Sequence, residues 1–131
     1  MKKIIAASGY FNPIHRGHIE YLERAKALGG KLIVILNNDI QIELKGSKKF
    51  MNIEERKTIL EALKCVDEVF VSIDTDSSVC KSLEAIMPDI FAKGGDRYSY
   101  EIPEGKTCFT FGIKIIDGLG KKIQSSSELL K

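Results

Sequence analysis

Tryptophan is missing from this sequence, proline occurs three times, and cysteine only at Cys65, Cys80 and Cys108. An odd number of widely spaced cysteines argues against a disulfide framework or a zinc site, so they read as buried or half-buried thiols. Charge of one sign is scarce as well. Twenty Lys+Arg against eighteen Asp+Glu leave a formal +2, too little for the one-signed field that extended nucleic-acid binding needs. Any anion bound here is small. Long apolar runs are absent: Leu32 to Leu36 is about a strand in length, well short of the ~20 residues that cross a bilayer. Met1-Lys2-Lys3 precedes an apolar run, Ile4 to Ala7, too short for a signal peptide. A cytoplasmic protein with neither nucleic acid nor membrane as partner is expected. There is no internal repeat and no low-complexity segment.

What is present suits one compact unit. With 131 residues, 44% hydrophobic and 29% charged, the chain has enough apolar surface to fold as one domain over residues 1–131. Five short apolar runs, Lys3 to Ala7, Lys31 to Leu36, Glu68 to Ile73, Asp89 to Lys93 and Gly112 to Ile116, are mostly continuous rather than alternating. Strands covered on both faces read that way. Between them, His18, Tyr21, Leu22 and Ala25 give helical spacing from about Gly17 to Leu28, closed by Gly29-Gly30. Asn52 with Glu55 reads as an N-cap and its reciprocal acid for a helix to about Lys64. A third helix begins near Ser77-Ser78 and stops at Pro88, and a short one is expected from Ser126 to Leu130. Alternating strands and helices imply a single doubly wound, Rossmann-like three-layer α/β domain around a mostly parallel five-stranded sheet. Asn38 to Met51 and Gly94 to Lys106 fit no element and are expected to be long functional loops.

In such folds ligands bind where strand carboxyl ends meet helix N-termini. Gly9 to His18 bridges the first strand and first helix there, and holds both histidines of the protein, His15 and His18. Each imidazole can donate to phosphate oxygens, and the helix N-terminus behind them adds oriented N–H groups and partial positive charge. Gly17 removes a Cβ where a ligand or backbone comes close, and Pro13 stiffens the turn. A lone histidine is more often a surface residue or a satisfied half-buried one, but two flanking one glycine at a βα turn point to a polyphosphate site. A metal site is the weaker alternative, because no Cys, Asp or Glu stands at ligand spacing.

Gly9-x-Phe11-Asn12-x-x-His15-x-Gly17-His18 resembles the HxGH signature of the nucleotidyltransferase superfamily that includes cytidylyltransferases and small adenylyltransferases. Asn12 stands where many members have Asp. The likeness extends along nearly the whole chain: Lys45-Gly46, Asn52-x-Glu54-Glu55-Arg56, Val66 to Val69, Pro88-Asp89, Lys93-Gly94-Gly95-Asp96 and Ser125-Ser126-Ser127 fall in the family's order. It is strongest to the heptose 1-phosphate adenylyltransferase domain, then to glycerol-3-phosphate cytidylyltransferase. The resemblance implies in-line attack of an acceptor phosphate on the α-phosphorus of a nucleoside triphosphate, with pyrophosphate leaving and no covalent enzyme intermediate. Mg²⁺ would arrive mainly through the nucleotide phosphates, with no metal-binding side chains.

By that resemblance His15, His18 and Lys45 are catalytic, and Gly9, Tyr10, Phe11, Asn12 and Gly17 line the triphosphate. Lys45 is expected in a flexible loop that closes over the α-phosphate and the incoming phosphate, while Lys48 and Lys49 read as solvated charge. Arg56, on the apolar face of its helix, either holds a phosphate or pairs with an acid such as Asp67. Lys93, Gly94, Gly95 and Asp96 would lie against base and ribose, although alone they could be a plain glycine turn. Ser125, Ser126 and Ser127 would bind triphosphate oxygens. Gly120-Lys121-Lys122-Ile123 departs from the cytidylyltransferase pattern, which puts CTP in doubt without settling on ATP; with the heptose 1-phosphate resemblance, ATP and a sugar 1-phosphate are the preferred pair. The alternatives are CTP with a phosphorylated polyol or amino alcohol, and a non-catalytic nucleotide-binding module. A homodimer is the assembly the family often adopts. A dehydrogenase is disfavoured by the lack of a G-x-G-x-x-G turn.

Overall fold

The computed structural model describes residues 3–94 and 102–116. Five strands, β1 (Lys3–Gly9), β2 (Gly30–Leu36), β3 (Glu68–Val71), β4 (Ile90–Ala92) and β5 (Lys114–Ile116), alternate with helices α1 (Arg16–Lys26), α2 (Asp39–Lys45), α3 (Ile53–Ala62), α4 (Cys80–Ile86) and α5 (Pro103–Phe111). The sheet runs β3-β2-β1-β4-β5, and every neighbouring pair is parallel. The chain therefore winds outward from β1 to β3 and then crosses back to β4. That reversal leaves a crevice at the carboxyl ends of β1 and β4.

Alternation along the strands divides the core into two layers. Ile5 and Ala7 of β1 face one side with Leu32, Val34 and Leu36 of β2, against Tyr21, Leu22 and Ala25 of α1 and Leu60 of α3. Ala6, Ile35 and Phe91 face the other, against Val79, Leu83, Ile102 and Cys108 around α4 and α5. Both faces of a parallel sheet are covered, as continuous apolar strands require. Cys65 and Cys80 are half-buried and Cys108 buried, all as free thiols. No helix among the described residues is long and apolar enough to cross a membrane.

The stretches expected as loops contain two helices. α2 begins at Asn38, whose side chain accepts from Gln41 N–H at 2.9 Å while Gln41 Oε1 accepts from Asn38 N–H at 3.0 Å. Its apolar residues Ile40, Ile42 and Leu44 alternate in sequence, and only Ile42 is buried, so periodicity conceals the element and the reciprocal cap reveals it. α5 opens on Pro103 at its first position and ends on Gly112 at φ 70, the usual proline and glycine punctuation of a helix. Phe109 and Phe111 are exposed on it while Cys108 is buried, which again blurs the stripe. Gly112 and Ile113 consequently close α5 instead of opening β5. The expected segment Ser126 to Leu130 lies outside the described residues.

α4 shows how a distant side chain substitutes for a poor local cap. Val79 at its N-cap makes no side-chain cap bond. Asp74, from the segment after β3, accepts instead from Lys81 N–H at 2.7 Å and, through Oδ1, from Ser82 N–H at 3.0 Å and Ser82 Oγ at 2.6 Å. A buried carboxylate at a helix N-terminus satisfies free amides and complements the helix dipole. Asp74→Ala is expected to destabilise the protein by about 2–4 kcal/mol, with Asp74→Asn falling between it and wild type, read from urea unfolding midpoints.

Candidate functional site

The turn from β1 to α1 is built around two rings. Phe11 takes a positive φ of 50 and buries its ring over Gly9, where an added Cβ would lie 2.9 Å from Phe11 Cζ. Glycine is needed at position 9 to make room for that ring. Phe11 in turn meets His18 edge to face at 4.9 Å, and His18 stacks on His15 at 3.8 Å. Tyr21 OH donates to Ala92 O at 2.6 Å and accepts from Ser8 N–H at 3.2 Å, fastening α1 to the carboxyl ends of β4 and β1.

The two histidines cap α1 together. His15 Nδ1 accepts from Gly17 N–H at 3.1 Å, and His18 Nδ1 accepts from His15 N–H at 3.1 Å. A backbone amide can only donate, so each Nδ1 carries no proton and each neutral ring keeps its proton on Nε2. Both rings thus present an Nε2–H donor at a helix N-terminus. His18 is held at a pKa of about 4, first by burial and then by His15 and Lys45 nearby. It is a neutral donor at physiological pH.

Lys45 occupies the last turn of α2, immediately before Gly46 at φ 77, and not a loop as expected from sequence. Its Nζ lies 4.3 Å from the centre of the Tyr10 ring. A cavity of about 280 Å³ is lined by Tyr10, Phe11, Asn12, Pro13, His15, His18 and Lys45. A second, of about 390 Å³, opens on the crevice side and is lined by Ser8, Gly9, Tyr10, Asn37, Lys45, Ser77, Val79, Lys93, Ile102, Pro103 and Glu104. Tyr10 and Lys45 line both.

Arg56 and Asn12 brace the site from within. The Arg56 side chain is fully buried against Asp39 at 2.6 Å. Its nitrogens also donate to Met51 O at 3.1 Å, Tyr10 O at 2.8 Å and Asn37 O at 2.7 Å. With its guanidinium committed to protein oxygens and no surface exposed, it is a strut rather than a phosphate ligand, so of its two readings the nucleotide-binding one gives way to the acid pair. The acid it pairs with is Asp39; Asp67 serves Lys26 and the Leu32 amide. Asn12 donates to Lys48 O at 2.7 Å and accepts from Phe50 N–H at 2.8 Å and Met51 N–H at 3.0 Å, so its amide side chain clasps the segment after α2. The structure gives Lys49 to Asp39 at 3.5 Å and Lys48 to the Phe50 ring at 5.5 Å.

Of the residues singled out in the sequence, Gly9, Tyr10, Phe11, Asn12, His15, His18, Lys45 and Lys93 line these two cavities. Gly17 is buried in the first turn of α1. Gly94 follows β4 and is half-buried. Gly95, Asp96, Lys121, Lys122, Ser125, Ser126 and Ser127 lie outside the described residues. Ser77 and Glu104 join the crevice; the sequence marks Glu104 only as part of the 94–106 stretch expected to be functional and Ser77 only as a helix start. The Pro103-Glu104 pair, an acid just after an N1 proline, is the helix-start signal that could have placed Glu104 at a helix N-terminus.

Two consequences are measurable. The pKa of His18 falls from the ordinary 6.5 to about 4 on folding, so between those values the unfolded chain binds more protons and stability rises with pH. Acidification from pH 6.5 to 4 should therefore lower the wild-type melting temperature more than that of His18→Gln, because protonation at Nδ1 also breaks the bond from His15 N–H. Arg56→Lys should cost about 2–4 kcal/mol in the absence of any nucleotide, since a single ammonium cannot serve the four oxygens Arg56 reaches; chemical denaturation of the free protein checks it.

Comparison with known proteins agrees with this geometry. Residues 6–127 match the family model described as cytidylyltransferase-like. Bifunctional protein HldE of Helicobacter pylori (strain ATCC 700392 / 26695) is 43% identical over 103 residues, 77% of this chain and 22% of its own length. HldE of Salmonella arizonae is 35% identical over 139 residues, covering 97% of this chain and 29% of that protein. The chain thus spans less than a third of the curated relatives it matches. Among solved structures, a lipopolysaccharide core biosynthesis protein from Thermoplasma volcanium superposes with a TM-score of 0.76 at 25% identity, covering 89% of this chain and 96% of that one. Pantothenate synthetase from Thermus thermophilus shares the fold at a TM-score of 0.59 and 12% identity, over 88% of this chain and 55% of that one. The two stacked histidines on the first helix N-terminus, the parallel sheet that carries them and the match over residues 6–127 agree: this chain belongs to the cytidylyltransferase-like family and is a nucleotidyltransferase.

Proposed function

We propose that the chain transfers a nucleoside monophosphate from a nucleoside triphosphate, ATP by preference, to a small phosphorylated metabolite of the sugar 1-phosphate type, releasing pyrophosphate. The observation that carries this reading is the position of Lys45 on the wall common to two cavities, one made of helix-capping imidazoles and the other opening on the β1/β4 crevice. The histidine cavity is lined by strong donors: two Nε2–H groups and the Lys45 ammonium. That set fits phosphate oxygens. The crevice, with Lys45 and Lys93, takes the acceptor phosphate.

In this arrangement one acceptor phosphate oxygen attacks the α-phosphorus, the bond from that phosphorus to its bridging oxygen breaks, and pyrophosphate departs. Negative charge grows on the equatorial and leaving oxygens, and His15, His18 and Lys45 are placed to stabilise it without moving a proton. A neutral imidazole whose Nδ1 accepts from the backbone still carries one Nε2–H to donate. Among the described residues no group of three His, Cys, Asp or Glu could hold a metal. Mg²⁺ would enter with the nucleotide, as the counter-ion of its phosphates, and would supply charge neutralisation there. The resemblance to the heptose 1-phosphate adenylyltransferase domain, with HldE among the relatives, supports ATP and a sugar 1-phosphate, and the departures upstream of Ser125 weigh against CTP.

Pyrophosphate release from ATP or CTP with Mg²⁺, assayed against glucose 1-phosphate, a heptose 1-phosphate, glycerol 3-phosphate and phosphoethanolamine, tests the reading. Turnover is expected with ATP and a sugar 1-phosphate. Release no greater than that of His18→Ala with every pair would leave only a nucleotide-binding module. Lys45→Ala should lower kcat by roughly 10²–10³ while nucleotide affinity changes by no more than a few-fold, because the ammonium acts chiefly on charge that develops during transfer. Equal losses in both would make Lys45 a ground-state binding residue.

A further inference from the structure

The crevice cavity contains a group that a phosphate site by itself would not tolerate. Glu104, in the first turn of α5, lines it together with Lys45, Lys93 and Ser77. The residue is 8% exposed, and its Oε2 accepts from Val79 N–H at 2.9 Å. A carboxylate that far out of water needs partners. The backbone bond fixes one oxygen and hence the plane of the group, which leaves Oε1 for whatever fills the cavity. Its charge also reaches Tyr10, whose phenol is pushed above its usual range first by burial and then by Glu104.

The cavity therefore holds charges of both signs. Lys45 and Lys93 in its lining attract a phosphate, while Glu104 repels one and accepts from hydrogen-bond donors, so an acceptor with a phosphate at one end and donors at the other suits it. We propose that Glu104 is the specificity-determining residue of this site, its free carboxylate oxygen accepting from hydroxyl groups of a sugar or polyol phosphate. This rests on the nucleotidyl-transfer reading above. It adds that the acceptor must carry hydroxyls some distance from its phosphate. A site built to hydrogen-bond a hydroxyl discriminates strongly against the analogue that lacks it, because the buried acceptor is then left unpaired.

The experiment compares wild type with Glu104→Gln, which has the same size and keeps an oxygen for Val79 N–H, and with Glu104→Asp, which keeps the charge but draws it back from the cavity. Acceptors are glucose 1-phosphate, glycerol 3-phosphate, propyl phosphate, which is the glycerol skeleton without its hydroxyls, and phosphoethanolamine, which offers an ammonium. Wild type should favour the hydroxylated acceptors over propyl phosphate by roughly 10- to 100-fold in kcat/KM. Both variants should narrow that ratio to within a few-fold, raise the acceptor KM about tenfold, and shift the nucleotide KM less than twofold. An unchanged ratio in the variants overturns the proposal, as does wild-type preference for phosphoethanolamine, which would make Glu104 an ammonium site. If wild type turns over and the variants rank the acceptors as it does, only this inference fails. If wild type releases no pyrophosphate with any pair, the proposed function fails and takes this inference with it.

Discussion

Four oxygens converge on one buried guanidinium, and the site's geometry follows from that junction. Arg56 reaches Tyr10 O in the histidine turn, Asn37 O just past β2, Met51 O just before α3, and the Asp39 carboxylate in the first turn of α2. These belong to three separate stretches of chain, the β1–α1 turn, the β2–α2 junction and the approach to α3. Arginine suits the position because its fork of donors is planar and stays charged even where it is wholly desolvated. A single partner would not compensate for that burial; a carboxylate and three carbonyls do. Through this junction the segment carrying Lys45 is registered against the segment carrying the histidines, although they lie about thirty residues apart in sequence.

The histidine pair follows a different economy. In many anion sites imidazole contributes as a cation, but here each Nδ1 is occupied by an amide proton, and His18 is held down to about 4 by burial and by its neighbours. The helix N-terminus is thereby capped and turned outward at once: amides that would have faced a ligand are spent on the rings, and the rings project donors further into the cavity. Formal positive charge is left to Lys45. Separating donors from charge in this way gives the cavity an anion-favouring lining without a cluster of cations that would repel one another in the free protein.

Much of this was legible in the sequence, and what escaped did so for physical reasons. Continuous strands such as Leu32 to Leu36 declare a sheet covered on both sides, and the spacing of His15 and His18 across Gly17 declares a pair of imidazoles at the start of the first helix. α2 escaped because a seven-residue helix needs only one buried apolar residue, Ile42, so no stripe develops. α5 escaped because Phe109 and Phe111 face outward. For Arg56, chemistry offered a phosphate and a carboxylate as equal partners, and only three-dimensional placement brings Asp39 to it. Asn12 is a related case. Position in the motif marked it as a ligand residue, yet its side chain both donates and accepts across the 48–51 segment. A carboxylate there could accept from Phe50 and Met51 but would face Lys48 O with no proton to offer.

The restraint on Lys45 is as informative as its position. Its ammonium rests over the Tyr10 ring and near the carboxyl end of α2, where the helix dipole favours a cation. Such contacts are weak: about 0.5–1 kcal/mol for an exposed cation–π pair and 0.3–1 kcal/mol for a charge at a helix end. A charge-assisted hydrogen bond to a phosphate oxygen is worth roughly 1.5–3 kcal/mol. Under the proposed reaction, the ammonium can therefore pass to a phosphate oxygen at little cost from the contacts it leaves. A lysine held by a buried carboxylate would be better ordered in the free protein and less able to move. Arg56 occupies that stronger kind of bond because its task is to stay. The difference between the two cations, one saturated by four oxygens and one lightly parked on an aromatic face, separates the frame of the site from its moving part.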